Sequence, residues 1–164
     1  MFNRKKYEQD AVNLYRSTNA AILSTMSKKY EGYPFGSFIT YATDKSRTLF
    51  MYTSDIAQHT KNLKNDSKAC VTLFKLDTEY DKQNSSRLTL MGDLKKVPKD
   101  DLDDCQERFV KFLPESKKYS SMHDFKFYKL EISRVRWIGG FGDIAWINPK
   151  NWKDESPNGL RTKK

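Results

Sequence analysis

Tyr52-Thr53-Ser54-Asp55-Ile56-Ala57-Gln58-His59-Thr60-Lys61-Asn62-Leu63 is the stretch on which the reading of this chain turns. The run ahead of it, Thr48-Leu49-Phe50-Met51-Tyr52, has the β-branched and aromatic content of a strand. Thr53-Ser54-Asp55 then supplies capping residue types, so a polar helix is expected to begin there. Such a junction gathers hydroxyls, free N–H groups, the His59 imidazole and the Lys61 amine at one point. Unpaired N–H groups at a helix start, backed by the positive end of the helix dipole, suit a phosphate. A plain N-cap uses the same residue types, and that alternative stays open at this stage.

A chain of 164 residues with 37% hydrophobic and 13% aromatic content fits one domain whose core is rich in Phe and Tyr. No apolar run reaches the length of a membrane span, and Met1-Phe2-Asn3-Arg4-Lys5-Lys6 is not followed by an apolar leader segment. A cytoplasmic protein without a membrane partner is therefore expected. Cys70 and Cys105 belong to no CxxC or Cys/His pattern, so they read as free thiols, and no metal site is expected. The formal charge of +9 favours anionic partners such as a phosphorylated cofactor, a haem or a nucleic acid. The basic residues are scattered, so most of them read as solvated surface.

Tyr7, Ala11, Leu14 and Tyr15 share a helical face, which predicts a first helix over residues 5–17. Strands are expected at 20–25, 35–42, 47–52, 69–76 and 87–96, with Gly92 marking a bulge. Residues 77–85 read as a loop. Pro98 with Asp100-Asp101 opens a helix whose Leu102, Cys105, Phe109 and Phe112 fall together, and Pro114 opens a short one. Residues 125–132 and 134–138 look like paired strands, followed by Gly139-Gly140-Phe141-Gly142 and a last strand to Ile147. Many antiparallel strands with a few helices indicate a compact α+β barrel. Trp137, Phe141 and Trp146 are either core or walls of a planar cofactor.

Taken in order, the motifs are Ala21-Ile22-Leu23-Ser24-Thr25, Gly32-Tyr33-Pro34-Phe35-Gly36-Ser37, the junction from Ser54 to Leu63, Arg87-Leu88-Thr89-Leu90-Met91-Gly92, Asp124-Phe125 and Gly139 to Trp146. Together they resemble the pyridoxamine 5′-phosphate oxidase-like, FMN-binding split-barrel family, and most closely its haem-utilisation branch. The match runs over residues 5–148. It implies a single domain folded as a six-stranded antiparallel split β-barrel with flanking helices, assembled as a homodimer with cofactor sites at the interface. By the same resemblance, Phe35, Gly36, Ser37 and Phe38 line the flavin, and Tyr52, Thr53, Ser54, His59, Thr60, Lys61 and Asn62 hold its phosphate. Trp137 is expected from the partner subunit.

Two departures from the family pattern stand out. Gln58-His59 occupy the place of an Arg-Lys pair in the oxidase, which exchanges permanent cations for a weaker anchor. Asp124 fits the acidic position of the haem-degrading members, but Leu160 stands where their axial histidine is expected. The expectation is thus an FMN-dependent oxidoreductase acting with a small-molecule redox substrate or electron donor. The alternatives are a haem-binding or haem-degrading protein of the same fold, and a non-enzymatic basic binding module. Nucleic acid is not expected as a partner, because no aromatic-basic motif stands out in the sequence.

Overall fold

The computed structural model describes residues 4–152. In chain order it contains α1 (Arg4–Ser17), β1 (Ala20–Met26), β2 (Pro34–Thr40), β3 (Ala42–Thr43), β4 (Leu49–Ser54), α2 (Gln58–Asn65), β5 (Lys68–Lys75) and β6 (Ser86–Lys96). It continues with α3 (Leu102–Phe112), β7 (Phe125–Ile138), β8 (Ile144–Ile147) and α4 (Pro149–Trp152). No helix among these residues is long and apolar enough to cross a membrane.

All eight strands form one antiparallel sheet in the order β2-β1-β5-β6-β7-β4-β3, with β8 alongside β7. Only Tyr41 separates β2 from β3, yet β2 pairs with β1 and β3 pairs with β4 at the far end of the sheet. A single continuous segment therefore joins both ends, and the sheet must curl into a half-barrel to allow it. Tyr41 is buried at the joint; its hydroxyl donates to the Tyr15 carbonyl at 2.8 Å, and its ring stacks on that of Tyr15. Beyond Ala42↔Phe50 and Thr43↔Leu49, β2 and β4 do not pair, and this is the split. The six strands that the resemblance implies are thus eight: the segment expected at 35–42 divides at Tyr41, and the last strand expected to end at Ile147 is β8, at the edge of β7.

The expected paired strands at 125–132 and 134–138 are one strand, β7. Its partner β6 runs beside it from Arg87↔Ile138 to Lys96↔Tyr128, with a register shift at Met91/Gly92. Met91 faces Arg134 while Gly92 faces Ile132, so Ser133 is the extra residue of a bulge. Ser133 turns its hydroxyl to the Met91 carbonyl at 3.3 Å. Gly92 is required there, since a Cβ would lie 2.0 Å from the Glu131 carbonyl oxygen.

Alternation sorts the side chains. Along β4, Leu49, Met51 and Thr53 point inward and are buried, whereas Phe50, Tyr52 and Ser54 take the other face. The main core joins Leu23, Leu49, Val71, Leu88, Leu90 and Trp137 to Val12 and Tyr15 of α1. Fully burying an aliphatic such as Val12 contributes about 2 kcal/mol. A second, smaller core lies under α3, where Phe109 meets Phe127, Val97 and Ala42.

α3 covers the other face of the sheet over β4 and the start of β7, and away from α3 that face is left uncovered. One cross-strand row runs Phe38, Ile22, Thr72, Thr89, Arg136, Trp146 over six adjacent strands. Phe38 and Trp146 at its two ends are 68% and 61% exposed.

Gly92→Ala is expected to lower stability by about 3 kcal/mol through overpacking against β7. Urea unfolding checks this; a midpoint equal to that of the native protein would contradict the bulge assignment.

Candidate functional site

The predicted junction folds differently from a simple capped helix. α2 starts at Gln58, and its N-cap is Ala57, with no side-chain cap. Ser54 serves the turn instead: its hydroxyl donates to the Asp124 carboxylate and accepts the Ile56 N–H at 3.2 Å. The Asp55 N–H donates to the Asp124 carbonyl at 2.8 Å. Asp124 thus ties the start of β7 to the end of β4.

His59 fills the split. Its Nδ1 lies 3.1 Å from Ser37 Oγ on β2, and its Nε2 lies 2.7 Å from Thr53 Oγ1 on β4. Thr53 Oγ1 is also 3.2 Å from Thr60 Oγ1, and both threonines are buried. Burial holds the imidazole pKa below its ordinary value, favouring the neutral ring. A neutral imidazole offers one donor and one acceptor, and hydroxyls play either role, so both bonds persist in either tautomer. Fully buried Asn62 is committed as well: its amide donates to Thr25 Oγ1, and its oxygen accepts from the Lys28 N–H and Gln58 Nε2, each at 3.0 Å.

Of the predicted residues, then, Ser37, Thr53, His59 and Thr60 form one network, with Asn62 beside it. The Lys61 side chain is exposed, whereas the first turn of α2 runs from half-buried Gln58 and His59 to fully buried Thr60. Half-buried Phe35 shares the inward side of β2 with Ser37, whereas Gly36 and Phe38 face outward. Tyr52 points away from His59: its ring stacks on Phe127 at 4.1 Å, and its hydroxyl donates to the Tyr119 carbonyl. Trp137 is a correction. At 3% exposure it lies in this chain's own core, so it is not available to reach a partner's cofactor. The position read from Leu160 lies outside the described residues.

A cavity of about 700 Å³ opens between α1, the β6–β8 part of the sheet and α4. Its lining includes Arg4, Tyr7, Met91, Arg134, Trp146 and Asn148, and none of the residues predicted for the site. The Arg136 guanidinium stands over the Trp146 ring at 5.0 Å. Tyr7 donates to Asp143 at 3.3 Å, and desolvation, followed by the Asp143 charge, pushes the phenol pKa up. Glu8, also in the lining, is neutralised by Arg47 at 2.8 Å. Arg134 donates to the Ser133 carbonyl at 2.8 Å, and among the described residues no ion pair engages it or Arg4, so two guanidiniums beside an indole face and a thioether can take a flat, apolar ligand that carries carboxylates. The sequence signal was limited to Trp146 as a possible cofactor wall, because the lining comes from both ends of the chain.

The profile of the CREG β-barrel family matches residues 3–154. The chain belongs to that family. It is 34% identical over 119 residues to the chloroplastic noncanonical heme oxygenase HOZ of Arabidopsis thaliana, covering 73% of this chain and 36% of that protein. It is 27% identical over 144 residues to protein CREG1 of Mus musculus, covering 80% and 65%. Among solved structures, a heme-binding protein from Mycobacterium smegmatis superposes with a TM-score of 0.81 at 28% identity, over 90% of this chain and 60% of that one. The chain thus spans between about a third and two thirds of these relatives. Split barrels of the haem-utilisation and pyridoxamine 5′-phosphate oxidase-like types, at 15–20% identity, share the fold of this CREG β-barrel chain.

The buried imidazole makes stability depend on pH. Its contribution is complete above the ordinary value of 6.5 and is lost as pH falls through that value toward the lower folded one. Urea midpoints between pH 7.5 and 5 are expected to fall for the native protein and to fall less for His59→Gln; equal slopes would contradict the bridge.

Proposed function

We propose that this protein binds haem on the β6–β8 side of its sheet. The observation that carries this reading is the cavity holding Arg4, Arg134, Trp146 and Met91, which opens onto the uncovered sheet face. Its volume lies within the usual range of about 300–1,000 Å³ for ligand sites. The lining fits the group: Arg4 and Arg134 would pair with the propionates, while Trp146 and Met91 would lie against the macrocycle. Neither histidine lines the cavity, so affinity rests on charge pairing and stacking. Haem, when bound, supplies a redox-active iron. Relatives described as a heme oxygenase and a heme-binding protein support the same reading.

A second copy of the chain is the proposed cover for the exposed face. The row from Phe38 to Trp146 is mixed apolar and polar, as interface cores and rims are, and a two-fold axis would duplicate the site.

One observation favours a second reading, FMN with its phosphate at α2. Exposed Lys61 and the first-turn N–H groups of half-buried Gln58 and His59, with the positive end of the helix dipole behind them, would suit an anion there. Against it, Ser54 is already held by the Asp124 carboxylate, and both nitrogens of His59 are engaged.

Titration of the full chain with hemin and, separately, with FMN decides between the two readings. Saturable Soret changes are expected, and Arg134→Ala should weaken hemin binding by about tenfold, the effect of losing one charge-assisted bond. FMN uptake without saturable hemin binding would overturn the proposal. Sedimentation checks the cover: a dimer is expected for the native protein and a monomer for Phe38→Glu, and a native monomer would refute it.

A further inference from the structure

The fold builds a basic-aromatic corner that the sequence scatters. The β1–β2 connection is a tight tip: the Ser27 N–H donates to the Tyr33 carbonyl at 3.0 Å, and the Tyr30 N–H donates to Ser27 Oγ at 2.9 Å. Gly32, at φ +85°, allows the turn. Asn62 clamps this tip to α2 through the Lys28 N–H, which places Lys28 and Lys29 beside Lys61. All three lysines are exposed, and among the described residues no ion pair engages them. Tyr30 and Tyr33 on the same tip are 62% and 71% exposed. Glu31 is the acidic residue within the tip; nearby Asp55 is taken by Lys64.

We propose that this corner, formed by Lys28, Lys29, Tyr30, Tyr33 and Lys61, binds single-stranded nucleic acid. An acidic polymer without bases would use the lysines alone. The Lys29 ammonium stands over one face of the Tyr30 ring at 5.3 Å, so the Tyr33 ring and the other face of Tyr30 offer flat surfaces for bases, while the amines meet the phosphates between them. The pattern recognises backbone charge and base faces, so it is tolerant of sequence. The corner contains no residue of the haem cavity.

Fluorescence anisotropy of the full chain with a labelled 20-nucleotide oligo(U), over a salt series, tests the proposal. Three lysine–phosphate contacts predict a slope of log K against log[salt] of about −2, falling to about −0.7 for Lys28→Ala/Lys29→Ala. Loss of both stacking faces in Tyr30→Ala/Tyr33→Ala is expected to weaken binding by at least about tenfold. Heparin should compete equally with the native protein and the tyrosine variant, because it offers charge without bases. Unfolding midpoints and hemin titration of the same variants report whether the fold and the separate cavity are intact. Absence of saturable oligonucleotide binding at low salt, or equal affinity in the folded tyrosine variant, would overturn the proposal.

Discussion

Everything in this structure depends on how a sheet with two mismatched ends is closed. The segment from Pro34 to Thr43 pairs with β1 in its first part and with β4 in its last, so the sheet must curl, and its ends lie apart along β2, ahead of Tyr41. Facing strand edges left apart are costly, because their side chains and backbone groups lose partners that water cannot easily replace. His59 spans the gap, reaching Ser37 on one edge and Thr53 on the other. Each of these hydrogen bonds contributes only about 1 kcal/mol net, yet removing one partner strands the other inside. Asn62, one helical turn later, fastens the same helix to β1 and to the tip beyond it.

That closure redistributes chemical roles. A junction rich in hydroxyls and an imidazole invites assignment as an anion anchor, but most of its side chains are spent on one another. Groups that remain unspent lie elsewhere: guanidiniums and an indole on the β6–β8 side, and amines and phenols at the β1–β2 tip. One surface suits a flat carboxylate-bearing ligand and the other a chain of bases and phosphates. The two are independent in residues, although α2 supports the second by holding the tip in place.

Much of the fold was legible because strand alternation is a local property. The strand ending at Tyr52 could be read from residue type alone, as could the face of α1 and the bulge at Gly92 from spacing. What could not be read depended on distant partners. Ser133 looks like a break between strands, but the length of β6 turns it into the extra residue of a bulge. Ser54 looks like a helix cap, but Asp124 takes its hydroxyl, and the helix begins at Gln58. The tryptophans show the same limit: Trp137 falls on the inner face of β7 opposite Leu88, whereas Trp146 falls on the outer face of β8 opposite Arg136. Strand parity and sheet curvature decided which of the two met solvent, and neither is written near the residue itself. The cavity was the least legible feature, since Arg4 and Asn151 reach it from opposite ends of the described chain.

His59 closes the barrel, and the proposed ligand sits apart from it on the β6–β8 side. Hydrogen–deuterium exchange of the full chain with and without hemin tests this arrangement most directly. Hemin is predicted to protect segments containing Met91, Arg134 and residues 145–151, and to leave residues 52–62 unchanged. Protection concentrated in residues 52–62, with none at Arg134 or Trp146, would contradict it.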